Sequence, residues 1–172
     1  MEETVDDYQE IQRFRSLTWV WVILLPGVGA LWYSAYRQLI LGEPVGNRPA
    51  SNPVLLLFWF AFGLALPAWF FFGGLRTEVR DDGVHLQAVA PPLCSQHIDY
   101  SEIATYEARR YRPLRDFGGW GPRFGQGGKA YTVSGNRGVQ LVFKDGRRLL
   151  IGSQKADQLV EAIDRHMFPG NV

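Results

Sequence analysis

Two long apolar stretches interrupt a chain that otherwise mixes polar and hydrophobic positions. Ser16 to Tyr36 (SLTWVWVILLPGVGALWYSAY) carries no charge, and neither does Pro49 to Leu75, whose middle is almost wholly apolar. About 20 helical residues cross the roughly 30 Å hydrocarbon layer of a bilayer, so each stretch is long enough to span one. A helix apolar on every side has no face to turn to water, and a soluble domain of this size could not enclose it. Arg13, Arg15 and Arg37 bracket the first stretch, and Arg48 and Arg76 bracket the second. Trp19, Trp21, Trp32, Tyr33 and Tyr36 lie near the ends of the first, where amphipathic rings favour headgroup depth. A cleavable signal peptide fits poorly, because the preceding residues are acidic and the apolar core is too long.

The pattern predicts a transmembrane helical hairpin over 16–75, with spans of about 16–37 and 53–75. Residues 1–15 are expected to precede it as a cytoplasmic segment. The link Gln38 to Asn52 holds Gly42, Pro44, Gly46, Asn47 and Pro49 and reads as a loop. Pro26 and Pro67 are expected to kink the spans. Two crossings put both termini on one side. Arg13, Arg15, Arg76 and Arg80 on that side, against Arg37 and Arg48 in the loop, predict that it is the cytoplasmic side of the cell membrane.

From Arg76 the texture becomes short alternating runs broken by turn residues. Thr77–Arg80, Val84–Val89, His97–Tyr100, Ile103–Tyr111, Ala130–Val133, Val139–Phe143 and Arg148–Gly152 read as strands. Asp81-Asp82-Gly83 marks a hairpin, and Pro91-Pro92 ends the strand that follows. Lys144-Asp145-Gly146-Arg147 predicts a type I′ turn. Ser153 is placed to cap a helix of about 155–167, in which Leu159, Val160, Ile163 and Met167 recur on one face. Pro169 and Gly170 close the chain. The domain 76–172 is thus expected to hold six or seven antiparallel strands and one C-terminal helix packed on them.

Composition narrows the function classes. Over 172 residues the formal net charge is +1, so nothing draws the whole chain to nucleic acid. The single cysteine, Cys94, allows neither an internal disulfide nor a zinc knuckle and reads as a small buried hydrophobe. The run GWGPRFGQGGKA fails as a phosphate loop: Arg123 stands where the first glycine is needed, and Ala130 follows Lys129 in place of Ser or Thr. His85, His97 and His166 are far apart in the chain and show no metal-ligand spacing. No serine has the context of a nucleophile. No catalytic residues, metal or cofactor are expected.

The basic run is different. Arg109, Arg110, Arg112, Arg115 and Arg123 surround Pro113 and Trp120 in a domain expected beside a membrane. Basic side chains near an anionic leaflet gain about 1 kcal/mol each. Arg109, Arg110, Arg112, Arg115, Trp120 and Arg123 are therefore the candidate binding residues for anionic lipid headgroups or an acidic partner. The alternative is a solvated face with local ion pairs to Glu102, Glu107 or Asp116.

The stretches GGWGPR (Gly118 to Arg123), AYTVSGNRGVQL (Ala130 to Leu141) and DGRRLLIGSQ (Asp145 to Gln154), with the strand order and the closing helix, resemble the bacterial pleckstrin-homology-like domains. The chain as a whole resembles uncharacterised bacterial membrane proteins in which a helical hairpin precedes such a domain. The resemblance implies an α+β fold: a transmembrane helical hairpin, then a PH-like antiparallel β-roll with a C-terminal helix. The function expected is a non-enzymatic, membrane-tethered binding or scaffolding module contacting a protein partner, another copy of itself or anionic lipid. The rivals are an accessory subunit of a larger membrane complex and an enzyme without a recognisable signature.

Overall fold

In the computed structural model, which describes residues 8–89, 95–125 and 127–168, the first strand lies before the apolar stretches. Strand β1 (Gln9–Arg13) pairs antiparallel with β2 (Gly74–Arg80), with Arg13 opposite Gly74. The helical segment is thus inserted into a β-hairpin. One compact unit is Met1–Phe14 with Gly74–Val172, and the other is Arg15–Gly73. This corrects two expected boundaries: a segment 1–15 outside the domain, and a domain starting at residue 76. The physical reason lies in β1 itself. Its polar Gln12 is buried and its apolar Ile11 is 48% exposed. Hydrophobic alternation therefore points to the wrong face of this strand.

Sheet A has the order β1-β2-β3-β4, with β3 at Gly83–Ala88 and β4 at Ser95–Ile98. The other sheet has the order β5-β8-β9-β7-β6: β5 is Ile103–Arg110, β6 Gly121–Gly125, β7 Gly128–Thr132, β8 Arg137–Phe143 and β9 Arg148–Gly152. The β7–β9 pair is parallel, and every other pair is antiparallel. Nine strands among the described residues replace the six or seven expected. The additions are β1 and β6, the latter inside the glycine-rich run read as a loop. Cys94, Pro91-Pro92 and Pro169-Gly170 lie outside the described residues.

Val79, Val84, Leu86 and Ile98 from sheet A meet Val139, Leu141, Leu149 and Ile151 from the other sheet in one buried core. The C-terminal helix (Ala156–Met167) adds Leu159 and Ile163 and packs against β2, β5 and β8, closing both sheets. Its start is held by β1. Glu10 accepts hydrogen bonds from Ser153 Oγ (2.6 Å), Tyr8 Oη (2.6 Å) and the Gln154 amide (3.0 Å). Ser153 Oγ accepts the Lys155 amide at 2.9 Å, but Lys155 is itself the N-cap residue and no side chain caps the helix, so Ser153 braces the turn before it instead of capping it as expected. Gln12 Nε2 donates to the Gly152 carbonyl at 2.8 Å.

The Asp145-Gly146 turn forms where expected but is not type I′, which needs two positive φ values. Gly146 has φ +84, and no described non-glycine residue has a positive φ. The Gly146 amide donates to the Phe143 carbonyl, and the Phe143 amide to that of Arg147. This is the three-residue hairpin loop closed by a glycine bulge.

Three tyrosines of this unit hold their protons tightly. Burial, then the bond to Glu10, raises Tyr8 well above its usual value. Burial, then the bond to Asp164, pushes Tyr106 up to about 12, and burial pushes Tyr111 up to about 12. Each binds its proton more tightly folded than unfolded. Its stabilising contribution is therefore complete below pH about 10 and lost as pH rises toward 12. Denaturant midpoints of the β unit should fall steadily across that window, with phenolate absorbance rising alongside. A midpoint unchanged up to pH 12 would contradict this assignment.

The other unit has two helices long and apolar enough to cross a membrane, Thr18–Ile40 and Asn52–Phe72. Trp32 meets Trp59 edge-on (5.0 Å), and Trp21 meets Phe71 (6.5 Å), so the helices run antiparallel. Pro67 has no N–H for the carbonyl four residues earlier, that of Gly63. Trp32 Nε1 donates to this carbonyl from the facing helix at 3.1 Å. A Cβ at Gly63 would sit 3.4 Å from Trp32 Nε1 of the facing helix and 3.3 Å from Trp59 of its own, a tight fit that glycine relieves.

Candidate functional site

The basic run folds into a short helix (Pro113–Phe117) followed by the β6–β7 hairpin. Proline in the first turn suits the helix start, and Gly118 at φ +70 ends it in the left-handed conformation that glycine adopts freely. The Asp116 carboxylate accepts the Arg112 amide at 2.9 Å. Phe117 is buried with Tyr111, Ala130 and Leu150 in a small second core. Leu114 is left 71% exposed beside Arg115.

The hairpin packs on this helix through glycine. A Cβ at Gly125 would run into the Asp116 carbonyl, so only a bare backbone fits. Phe124 is 82% exposed, and its neighbours Pro122 and Arg123 are exposed as well. Arg123 Nε donates to the Trp120 carbonyl (3.3 Å), and Trp120 Nε1 to that of Gly135 (3.2 Å). Two mutually packed elements thus carry exposed Leu114 and Phe124 among Arg112, Arg115 and Arg123.

The six residues singled out from sequence therefore fall in two places. Arg112, Arg115, Trp120 and Arg123 belong to the helix and hairpin. Arg109 and Arg110 lie on β5; half-buried Arg109 approaches Gln140 Oε1 at 3.4 Å, and Arg110 stands opposite Arg137. Among the described residues, none of the five arginines makes an ion pair. Their expected acidic partners are engaged elsewhere or stand apart: Glu102 pairs with Arg147 at 3.8 Å, and Asp116 serves the Arg112 backbone.

Beside the hairpin lies an open groove of ≈ 660 Å³, lined by Gln96, Phe124, Lys129, Phe143, Arg147 and Arg148. Lys129 Nζ sits 4.8 Å from the Tyr131 ring centroid and donates to Gln96 Oε1 at 3.3 Å. Arg147 is tied to Asp145 at 2.5 Å, and the Arg147 backbone amide and guanidinium hold the Asp145 carboxyl below its usual range. Sequence reading missed Phe124, Lys129 and Arg148. The available signal was GGK: Gly128 has φ +98, and a Cβ there would strike the Arg148 carbonyl. That glycine brings Lys129 and Arg148 together across the parallel β7–β9 pair, a contact that local pattern cannot register.

The fold and these sites define a class: an α+β protein whose β domain is interrupted after its first strand by an apolar helical hairpin and carries a basic, aromatic loop face. The chain belongs to the family of unknown function DUF6141, whose model matches residues 1–167. No curated protein and no solved structure is significantly similar to it.

Proposed function

We propose that this protein is a membrane-anchored, non-enzymatic binding module whose PH-like domain contacts anionic lipid headgroups at the cytoplasmic face. The observation that carries this is Phe124 and Leu114, both exposed, set among arginines with no ion-pair partner among the described residues. Apolar side chains at a bilayer interface gain by burial, about 1.5–3 kcal/mol for a fully covered phenylalanine. Arginines beside them add about 1 kcal/mol each against an anionic leaflet. Neither group gains anything comparable in water.

The anchor reading is supported by the helices. Only 6% and 11% of their most apolar windows are buried, unlike the core helix of a soluble domain. Ile23 (70% exposed) and Phe60 (61% exposed) would face hydrocarbon. The tethers are short, Phe14 to Leu17 on one side and Gly73 on the other. They give the domain a high effective concentration at the bilayer, so weak headgroup contacts suffice. Two sheets closed by one terminal helix support the PH-like reading.

An environment-sensitive dye at Phe124→Cys, with Cys94→Ser, tests this in full-length protein held in nanodiscs. Emission should shift blue in discs containing anionic lipid relative to neutral ones, and the shift should fade in high salt. Identical spectra in both would sink the proposal.

A further inference from the structure

The antiparallel register of β3 and β4 sets His85 directly opposite His97, and the imidazoles stack with centroids 4.5 Å apart. Asp82, in the two-residue loop before β3, reaches both rings. Its Oδ1 lies 2.8 Å from His85 Nε2 and its Oδ2 3.6 Å from His97 Nε2. The three donor atoms lie within 4.8 Å of one another. The loop is held close by Gly83 (φ +143), where a Cβ would collide with the Ile98 carbonyl and approach His97 Nε2.

We propose that Asp82, His85 and His97 form a binding site for one divalent first-row transition ion, with zinc the ion best suited. Donors about 2.0–2.1 Å from a tetrahedral zinc ion lie about 3.3 Å apart. The three donors here lie within 4.8 Å of one another, with the two carboxylate oxygens serving different rings, so modest side-chain rotation is needed to bring them onto one ion. Two imidazole nitrogens and one carboxylate oxygen are borderline donors that suit zinc and its neighbours rather than magnesium or calcium. A carboxylate between two imidazoles supplies the anionic ligand.

The surroundings fit a cation. The nearby Arg76 and Arg80 are both tied to Glu78 and do not compete for Asp82. Asp99 lies close enough to His97 to add negative charge. A cavity of ≈ 270 Å³ adjoins the imidazoles, its wall formed by Ser95 and Gln96 together with Glu78, Arg76 and Arg80. His166 turns instead to Asp81 (3.4 Å) and stacks on Tyr100, outside the set. An ion here would fasten the β2–β3 turn to β4, one of the two outer strands of its sheet.

The test uses full-length, tag-free protein in detergent micelles, titrated with Co²⁺ and then Zn²⁺. One Co²⁺ per chain should give visible d–d absorption of a four-coordinate site, and one equivalent of Zn²⁺ should abolish it. His85→Ala and His97→Ala should each weaken Zn²⁺ binding by about 100-fold or more, since loss of a mere supporting partner of a ligand already costs about 10–100-fold, while His166→Ala leaves it unchanged. A measurement independent of any variant is carbethoxylation of the wild type read by mass spectrometry. Zn²⁺ should protect His85 and His97 and leave His166 as reactive as before. No saturable metal uptake, or uptake equally insensitive to all three variants with no selective protection, would overturn the site.

Discussion

A chain lacking Met1–Arg13 is expected to lose its folded β unit, although the deletion removes none of the strands read from the sequence. Strand β1 satisfies the outer edge of β2 over five residue pairs, Gln9↔Glu78 to Arg13↔Gly74. It also supplies Glu10, which accepts Ser153 Oγ and the Gln154 amide where β9 hands over to the last helix. Several backbone bonds at about 1 kcal/mol each, plus a charged acceptor worth about 1.5–3 kcal/mol, add up to roughly 5 kcal/mol or more. Domains of this size have about 5–15 kcal/mol in total. A fragment beginning at Arg76 fails for the same reason. By contrast, Met1–Phe14 joined through a short Gly-Ser turn to Gly74–Val172 should fold, because Arg13 and Gly74 are already paired. Amide exchange of Leu159 and Leu141 reads the difference: protected in the joined chain, fast in the fragment. Equal protection in both would show that β1 is dispensable.

That expectation rests on the one element the sequence hid. Apolar runs, turn residues and the amphipathic last helix are local signals. They placed β5, β9 and the final helix to within a residue or so and the two helical segments to within three. Strand β1 escaped because its inward residue is Gln12, hydrogen-bonded to a carbonyl far along the chain, so burial there follows polar pairing and not hydrophobicity. β6 escaped because its side chains, Pro122, Arg123 and Phe124, are all exposed, so Gly121–Gly125 shows no alternation of buried and exposed positions. The arginine run was legible as charge, but its division between β5 and the helix–hairpin pair was not. Nor was the meeting of His85 and His97, which depends on strand register. Long-range pairing decided the misses at β1 and at the histidine pair, whereas β6 and the type of the Asp145-Gly146 turn were misread locally.

The second large effect concerns the loop face. Replacing Arg112, Arg115 and Arg123 by Gln should weaken binding to anionic vesicles by about 100-fold, from about 1 kcal/mol per charge. Adding Phe124→Ser should cost a further 10-fold or so, from lost interfacial burial. All four side chains are exposed, so stability should change by no more than about 0.5 kcal/mol. Lysine at the three arginine positions should restore most of the binding, because a diffuse leaflet potential acts on charge. Failure of lysine to rescue would instead point to paired guanidinium contacts with individual phosphates.

Flotation of the joined chain, Met1–Phe14 linked to Gly74–Val172, with neutral and anionic vesicles tests the central claim most directly. The account predicts that it rises with anionic vesicles only, is released near 1 M salt, where the screening length is about 3 Å, and stays down when the three arginines and Phe124 are replaced. A folded domain that remains in solution with both kinds of vesicle, or rises equally with both, would contradict it.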